Sequence, residues 1–152
     1  MKKKKIMKKI LLILVAIFSV GVIAASADND KLIDKSQLPL QAQQFIEAHF
    51  AGVDMIYAKE DSNIFFNSYE VRLANGVKLE FSSKGNWEEV ECQQSEVPAE
   101  IVPQSIRDYV NNNFANEKIR GIEKNRNDYE VKLSNGLELK FDKNFNIYDI
   151  DD

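Results

Sequence analysis

The sequence predicts an α+β fold: two tandem helix-plus-four-stranded antiparallel meander repeats forming one curved eight-stranded sheet, with the helices on one face. Three observations carry that expectation. The stretch Tyr69-Glu-Val-Arg-Leu-Ala-Asn-Gly-Val-Lys-Leu-Glu-Phe81 returns sixty positions later as Tyr129-Glu-Val-Lys-Leu-Ser-Asn-Gly-Leu-Glu-Leu-Lys-Phe141. A proline-led segment with apolar residues at helical spacing precedes each copy, and a short strand pattern follows each. One such unit alone buries too little, so the two are expected to share a core.

The chain begins with a targeting signature. Met1 to Ala27 carries lysines at positions 2–5, 8 and 9, an apolar run from Ile10 to Ala25, and a small-x-small end at Ala25-Ser26-Ala27, the pattern of a signal peptide cleaved before Asp28. A retained membrane anchor is the alternative, but the apolar run falls short of the ~20 residues that a spanning helix needs. No cysteine stands near the cleavage point, so lipid attachment of the bacterial lipoprotein kind has no support.

Cleavage removes six of twenty basic residues and none of the twenty-four acidic ones, leaving a net charge of −10. That argues against a nucleic-acid binder, which needs a basic footprint. It suits basic partners or cations, with solubility as the plainer account. The mature chain is long enough for one shared domain over residues 38–152, made of repeat 1 (38–92) and repeat 2 (93–152). Cys92 is the only cysteine, so no internal disulfide can form, and burial is its expected state.

Residues 28–37 read as a disordered polar lead-in. Leu38-Pro39 then opens a helix, with Ala42, Phe45, Ile46, His49 and Phe50 on one stripe and Gly52 closing it. Sixty-four residues on, Val102-Pro103 opens the second, with Ile106, Tyr109, Val110, Asn113 and Phe114 in the matching places. Val97 to Ile101 adds a short turn before it. Extended segments follow, Met55 to Glu60 and Ile119 to Lys124. The first copy carries four extra residues within Asp61 to Ser68; Ile64, Phe65 and Phe66 there are read as packed under the sheet edge, or else as an exposed contact.

The hairpins pass a register test only with three-residue loops. A two-residue Asn75-Gly76 turn would set Leu73 opposite Lys78 and mix both faces. A loop of Ala74-Asn75-Gly76, with Gly76 left-handed, pairs Leu73 with Val77, Val71 with Leu79 and Tyr69 with Phe81, so one face becomes wholly apolar. In the second copy the outer face then matches Glu130 with Lys140 and Lys132 with Glu138. In the first, Glu70 meets Glu80 and Arg72 meets Lys78, so like charges face each other and only diagonals compensate.

A fourth strand follows each hairpin, Asn86 to Glu91 and Asn146 to Ile150. Its phase has two solutions. A tight turn at Lys84-Gly85 pairs Val90 with Leu79 and points Trp87 outward; a longer loop buries Trp87 and exposes Val90. The first is preferred because Ile150 then also faces inward opposite Leu139. Trp87 and Ile147 become apolar residues on a charged face, as binding surfaces often have.

The order of signal peptide, Leu-Pro helix, extended segment, Tyr-Glu-Val-x-Leu-x-Asn-Gly hairpin and Gly85-Asn-Trp-Glu-Glu-Val90 strand, with all but the signal peptide given twice, resembles the PepSY-like, beta-lactamase-inhibitor-like family of periplasmic proteins. The resemblance covers Leu38 to Asp152. It implies a fold like that of the beta-lactamase inhibitor protein, two repeats presenting a concave sheet to a partner, and a role as an exported binding or inhibitory module acting on a peptidase or other hydrolase. No catalytic residue comes with it.

The residues themselves point to no enzyme. His49 is the only histidine, which with one cysteine removes the usual zinc sets, and no Gly-x-Ser-x-Gly elbow occurs. Asp142-Lys-Asn144-Phe-Asn146 has the alternating oxygens of a calcium loop, but Ile147 stands where that loop needs glycine. The leading expectation is therefore a non-enzymatic module, periplasmic or secreted, without cofactor, membrane or nucleic-acid partner. It would hold a protein or peptide of the cell envelope on the outer sheet face. Trp87 and Ile147 would anchor the contact. Glu70, Arg72, Lys78, Glu80, Glu89, Glu130, Lys132, Glu138, Lys140 and Tyr148 would orient it. A calcium or small-ligand sensor is the alternative.

Overall fold

The computed structural model describes residues 30–62 and 67–152. The expected signal peptide, and Ile64, Phe65 and Phe66, lie outside the described residues. The strands are β1 (Asp30–Ile33), β2 (Met55–Ser62), β3 (Asn67–Leu73), β4 (Val77–Ser82), β5 (Trp87–Cys92), β6 (Ile119–Lys124), β7 (Asp128–Leu133), β8 (Glu138–Asp142) and β9 (Ile147–Asp151). They form one antiparallel sheet in chain order. Helix α1 (Leu40–Phe50) lies between β1 and β2, and α2 (Gln104–Asn113) between β5 and β6.

The sheet has nine strands rather than eight. The lead-in expected to be disordered contributes β1, which pairs Leu32 with Lys59 and Ile33 with Ala58, and a 3-10 turn at Lys35–Gln37. The sequence signal was weak because β1 is a short edge strand with one half-buried residue, Ile33. The four-residue insertion lengthens the β2–β3 hairpin, adding the pairs Asp61–Ser68 and Ser62–Asn67 beyond Glu60–Tyr69.

Both Asn-Gly hairpins adopt the three-residue loop. Val71 faces Leu79 and Tyr69 faces Phe81, while Val131 faces Leu139 and Tyr129 faces Phe141. Gly76 and Gly136 take φ of +84° and +91°, the left-handed turn position that glycine adopts without a Cβ clash.

The helices start directly after Pro39 and Pro103, where proline's fixed φ suits a helix entry. They bury Ala42, Ile46 and Phe50, and Ile106 and Val110, at helical spacing. Phe45 meets Phe81 edge-on at 5.6 Å, and Tyr109 meets Phe141 the same way at 5.4 Å. Residues of both helices and of β2 to β8 form one apolar cluster, closed across the middle by the β5–β6 pairing of Val90 with Ile122. Cys92 lies in it, its thiol pKa pushed up by burial.

The phase of the fourth strands corrects the sequence reading, which treated an inward Val90 and an inward Trp87 as exclusive. Each of β5 and β9 carries an extra residue opposite a register break, so Leu79 faces Val90 and Phe81 still faces Trp87, just as Leu139 faces Ile150 and Phe141 faces Ile147. A β-bulge places two residues against one and restores the phase. Trp87 and Ile147 thus lie on the helix side and pack against the core, with Trp87 stacked 6.3 Å from Phe45. They are not anchors on the charged face. Ile150, on the inward side of edge strand β9, remains 47% exposed.

Candidate functional site

The face away from the helices carries two transverse rows of side chains set by strand register. The first runs Lys59, Glu70, Glu80, Glu89, Glu123, Glu130, Lys140, Asp149 from β2 to β9. Its centre is five glutamates on five neighbouring strands, β3 to β7. The second runs Tyr57, Arg72, Lys78, Glu91, Gly121, Lys132, Glu138, Asp151 and is mixed in sign. Strands in a sheet are ~4.8 Å apart, and like charges directly opposite destabilise a pair. The glutamate row therefore holds repulsion that its neighbours offset only in places.

The offsets concentrate on the first three glutamates, Glu70, Glu80 and Glu89. The Tyr57 hydroxyl donates to Glu70 Oε1 at 2.5 Å, and Lys59 Nζ lies 3.5 Å from Glu70 Oε2 and 3.0 Å from Asp30. Lys78 Nζ bridges Glu80 and Glu89, each at 2.8 Å. Burial opposes the Lys78 charge, but these two hydrogen bonds outweigh it and raise its pKa. The compensation of Glu70 and Glu80 thus comes from Tyr57, Lys59 and Lys78 rather than from hairpin diagonals.

The second half departs from its expected pairing. Lys132 reaches Glu138 at 3.6 Å, but Lys140, although in register with Glu130, turns to Asp151 at 2.6 Å and Asp149 at 3.7 Å. Glu130 forms no ion pair among the described residues. Burial, then repulsion from Glu138 and Glu123, pushes its pKa up to about 7. Glu123 is raised by burial and by Glu80 and Asp128, and Glu80 by burial and by Glu89 against the pull of Lys78. Beside them Gly121 has no side chain to fill the second row, which leaves a depression of about 40 Å³ edged by Glu89, Glu91, Glu123, Glu130 and Lys132.

Of the residues expected on this face, Glu70, Arg72, Lys78, Glu80, Glu89, Glu130, Lys132, Glu138 and Lys140 stand in the two rows. Tyr148, which the preferred phase pointed inward, is the bulge residue of β9; it is 56% exposed and its hydroxyl donates to Asp128 Oδ2 at 3.2 Å. The expected partner-binding set omitted Lys59, Glu123 and Asp149 of the first row and Tyr57, Glu91 and Asp151 of the second. Alternation around an inward Ile122 would have found Glu123, had β6 been paired with β5.

Other chemistry is sparse. His49 Nδ1 lies 3.3 Å from the exposed Glu100, and its ring leans on Phe45. The Asp142 carboxylate accepts from the backbone of Asn144 and Asn146 at 2.8 and 2.9 Å, so the calcium-like segment is a turn closed on itself. Among the described residues no three His, Cys, Asp or Glu side chains are grouped to hold a metal ion, and no helix is long and apolar enough to cross a membrane.

Residues 67–149 match the family described as "Putative beta-lactamase-inhibitor-like, PepSY-like". Among solved structures, a "putative periplasmic protein" from Bacteroides vulgatus is 49% identical, with 84% of this chain and all of that one covered and a TM-score of 0.80. A "putative calcium-regulated periplasmic protein" from Bacteroides thetaiotaomicron is 50% identical over the same shares, also at TM-score 0.80. A second Bacteroides vulgatus protein, of unknown function, is 38% identical over 82% of this chain and all of its own, at TM-score 0.78. No curated protein matches.

Proposed function

Since the chain belongs to the PepSY-like, beta-lactamase-inhibitor-like family, we propose that it is a non-enzymatic binding module whose outer sheet face holds a basic segment of another envelope protein or peptide. Like its solved relatives, it is periplasmic, and we assign its export to residues 1–27. We read the two halves as copies of one helix-plus-meander unit, which the sixty-residue offset between the two hairpin registers supports.

The observation that carries the binding reading is the glutamate row. Six carboxylates and two lysines share one line across the open face, and lysines or arginines of a partner would relieve repulsion the fold leaves in place. Such fields speed and select association more than they add affinity. Inhibition of a peptidase or other hydrolase is one form this binding would take. The test is titration with a short oligolysine peptide at rising salt. Binding that weakens with salt and falls several-fold in Glu89→Gln/Glu123→Gln supports the reading; unchanged binding in that variant refutes it.

A calcium-responsive role is the second reading, favoured by the similarity to the "putative calcium-regulated periplasmic protein" of Bacteroides thetaiotaomicron. Calorimetry with calcium decides between them: heat that disappears in the same double variant favours calcium, and no heat removes it.

A further inference from the structure

Three lysines of the outer face each serve two carboxylates: Lys59 reaches Asp30 and Glu70, Lys78 reaches Glu80 and Glu89, and Lys140 reaches Asp149 and Asp151. Lys78 shows how the sheet builds such a site. It stands on β4 two residues before Glu80, and Glu89 faces Glu80 from β5. Its Nζ lies between the two carboxylates, 2.8 Å from each.

The same arrangement recurs two strands further on without its cation. On β6, Gly121 stands two residues before Glu123, and Glu130 faces Glu123 from β7. Strands β4 and β6 run in the same direction, both antiparallel to β5. Gly121 therefore holds toward Glu123 and Glu130 the place that Lys78 holds toward Glu80 and Glu89. Among the described residues neither Glu123 nor Glu130 forms an ion pair. Lys132, in register with Gly121, turns away to Glu138 on β8 at 3.6 Å.

Where a lysine side chain would lie there is the depression of about 40 Å³, lined by Gly121, Glu123 and Glu130 among others. One water needs roughly 10–15 Å³ of such space, so an ammonium with its last methylene fits. The backbone does not require glycine. A Cβ at Gly121 would meet Lys132 Cβ at 3.4 Å and the Val90 carbonyl oxygen at 3.7 Å, ordinary contact distances. Lys78 identifies the chemistry that satisfies such a carboxylate pair as a single ammonium. The group is not a metal site, since no three acidic, histidine or cysteine side chains are placed to hold one among the described residues.

We propose that, within the binding face assigned above and resting on that assignment, the depression at Gly121 receives the ammonium of one lysine side chain of the partner. Glu123 and Glu130 hold it as Glu80 and Glu89 hold Lys78, and the partner thereby completes a site the chain leaves open.

The experiment supplies the missing side chain. Gly121→Lys and Gly121→Gln fill the same space with and without charge, and Ser68→Lys adds the same charge to the outer face on β3. Gly121→Lys should melt above Gly121→Gln at pH 8 and by less at pH 4.5, where the carboxylates protonate. In calorimetric titration of the full chain at low salt, a tetralysine peptide with blocked termini should bind Gly121→Lys about tenfold more weakly than the parent. Ser68→Lys should lose no more than about threefold. Gly121→Gln as stable as Gly121→Lys at pH 8, or equal losses in Gly121→Lys and Ser68→Lys, would overturn the proposal. Tetralysine binding the parent and Gly121→Lys alike would remove the depression as anchor while the outer face still binds. No binding to the parent would overturn the outer-face reading itself, and the lysine site with it.

Discussion

Replacing Glu130 with glutamine should stabilise the protein, and only above mildly acidic pH. Burial and the neighbouring Glu138 and Glu123 lift the Glu130 carboxyl from near 4.5 to about 7, against the weaker pull of Lys140 and Lys132. A carboxyl whose folded pKa is raised binds protons more tightly folded than unfolded. Stability therefore falls as pH climbs from about 4.5 to about 7 and is flat beyond. The full interval corresponds to about 3.5 kcal/mol at 1.4 kcal/mol per pH unit. Solvent screening of this half-buried surface group reduces that to about 1–2 kcal/mol. Glutamine keeps the shape and removes the charge, so Glu130→Gln should melt roughly 3–8 °C above the parent at pH 8. The two should coincide near pH 4.5, and salt of about 0.5 M should shrink the gap. Calorimetric melts at pH 4.5, 6, 7 and 8 measure this. A variant less stable at pH 8, or a gain of equal size at pH 4.5 and 8, would show that burial and the acidic neighbours do not hold the Glu130 carboxyl up.

Two glycines and one tryptophan test the packing account. Gly85 has φ of +83°, and a Cβ there would lie 2.8 Å from Pro39 Cβ and 2.9 Å from the Ala42 nitrogen. Gly85→Ala should cost about 2–4 kcal/mol in urea unfolding, whereas Gly136→Ala, at φ +91° with open space around it, should cost about 1; equal costs would refute the close approach of the β4–β5 turn to α1. Trp87→Ala should lose about 2–3 kcal/mol of stability through its contacts with Phe45 and the core, while leaving oligolysine binding by the folded protein unchanged. Lost binding without lost stability would return Trp87 to the outer face.

The register of both hairpins was legible in the residues. Tyr69, Val71, Leu73, Val77, Leu79 and Phe81 alternate so strictly that only an odd loop gathers them on one face. Every charged residue of the two rows on β3, β4, β7 and β8 follows from that alternation. Trp87 and Ile147 did not follow, because alternation assumes one residue against one. The bulges in β5 and β9 set two against one, and no local pattern in Gly-Asn-Trp-Glu-Glu-Val announces that. Strand β1 escaped notice for a related reason: an edge strand has one neighbour and almost no buried side chain to mark it.

The amino-acid order alone determined which strands pair within each Asn-Gly hairpin, which side chains of those hairpins meet the helices, and the excess of acid over base. Folding in three dimensions decided how the halves join. Only when β5 hydrogen-bonds to β6 does Glu89 come to face Glu123, turning separate charged positions into a continuous line of five carboxylates. Residues thirty-four positions apart acquire that repulsion from the sheet, because backbone hydrogen bonds formed for the sake of the shared apolar core fix their distance whatever their charge.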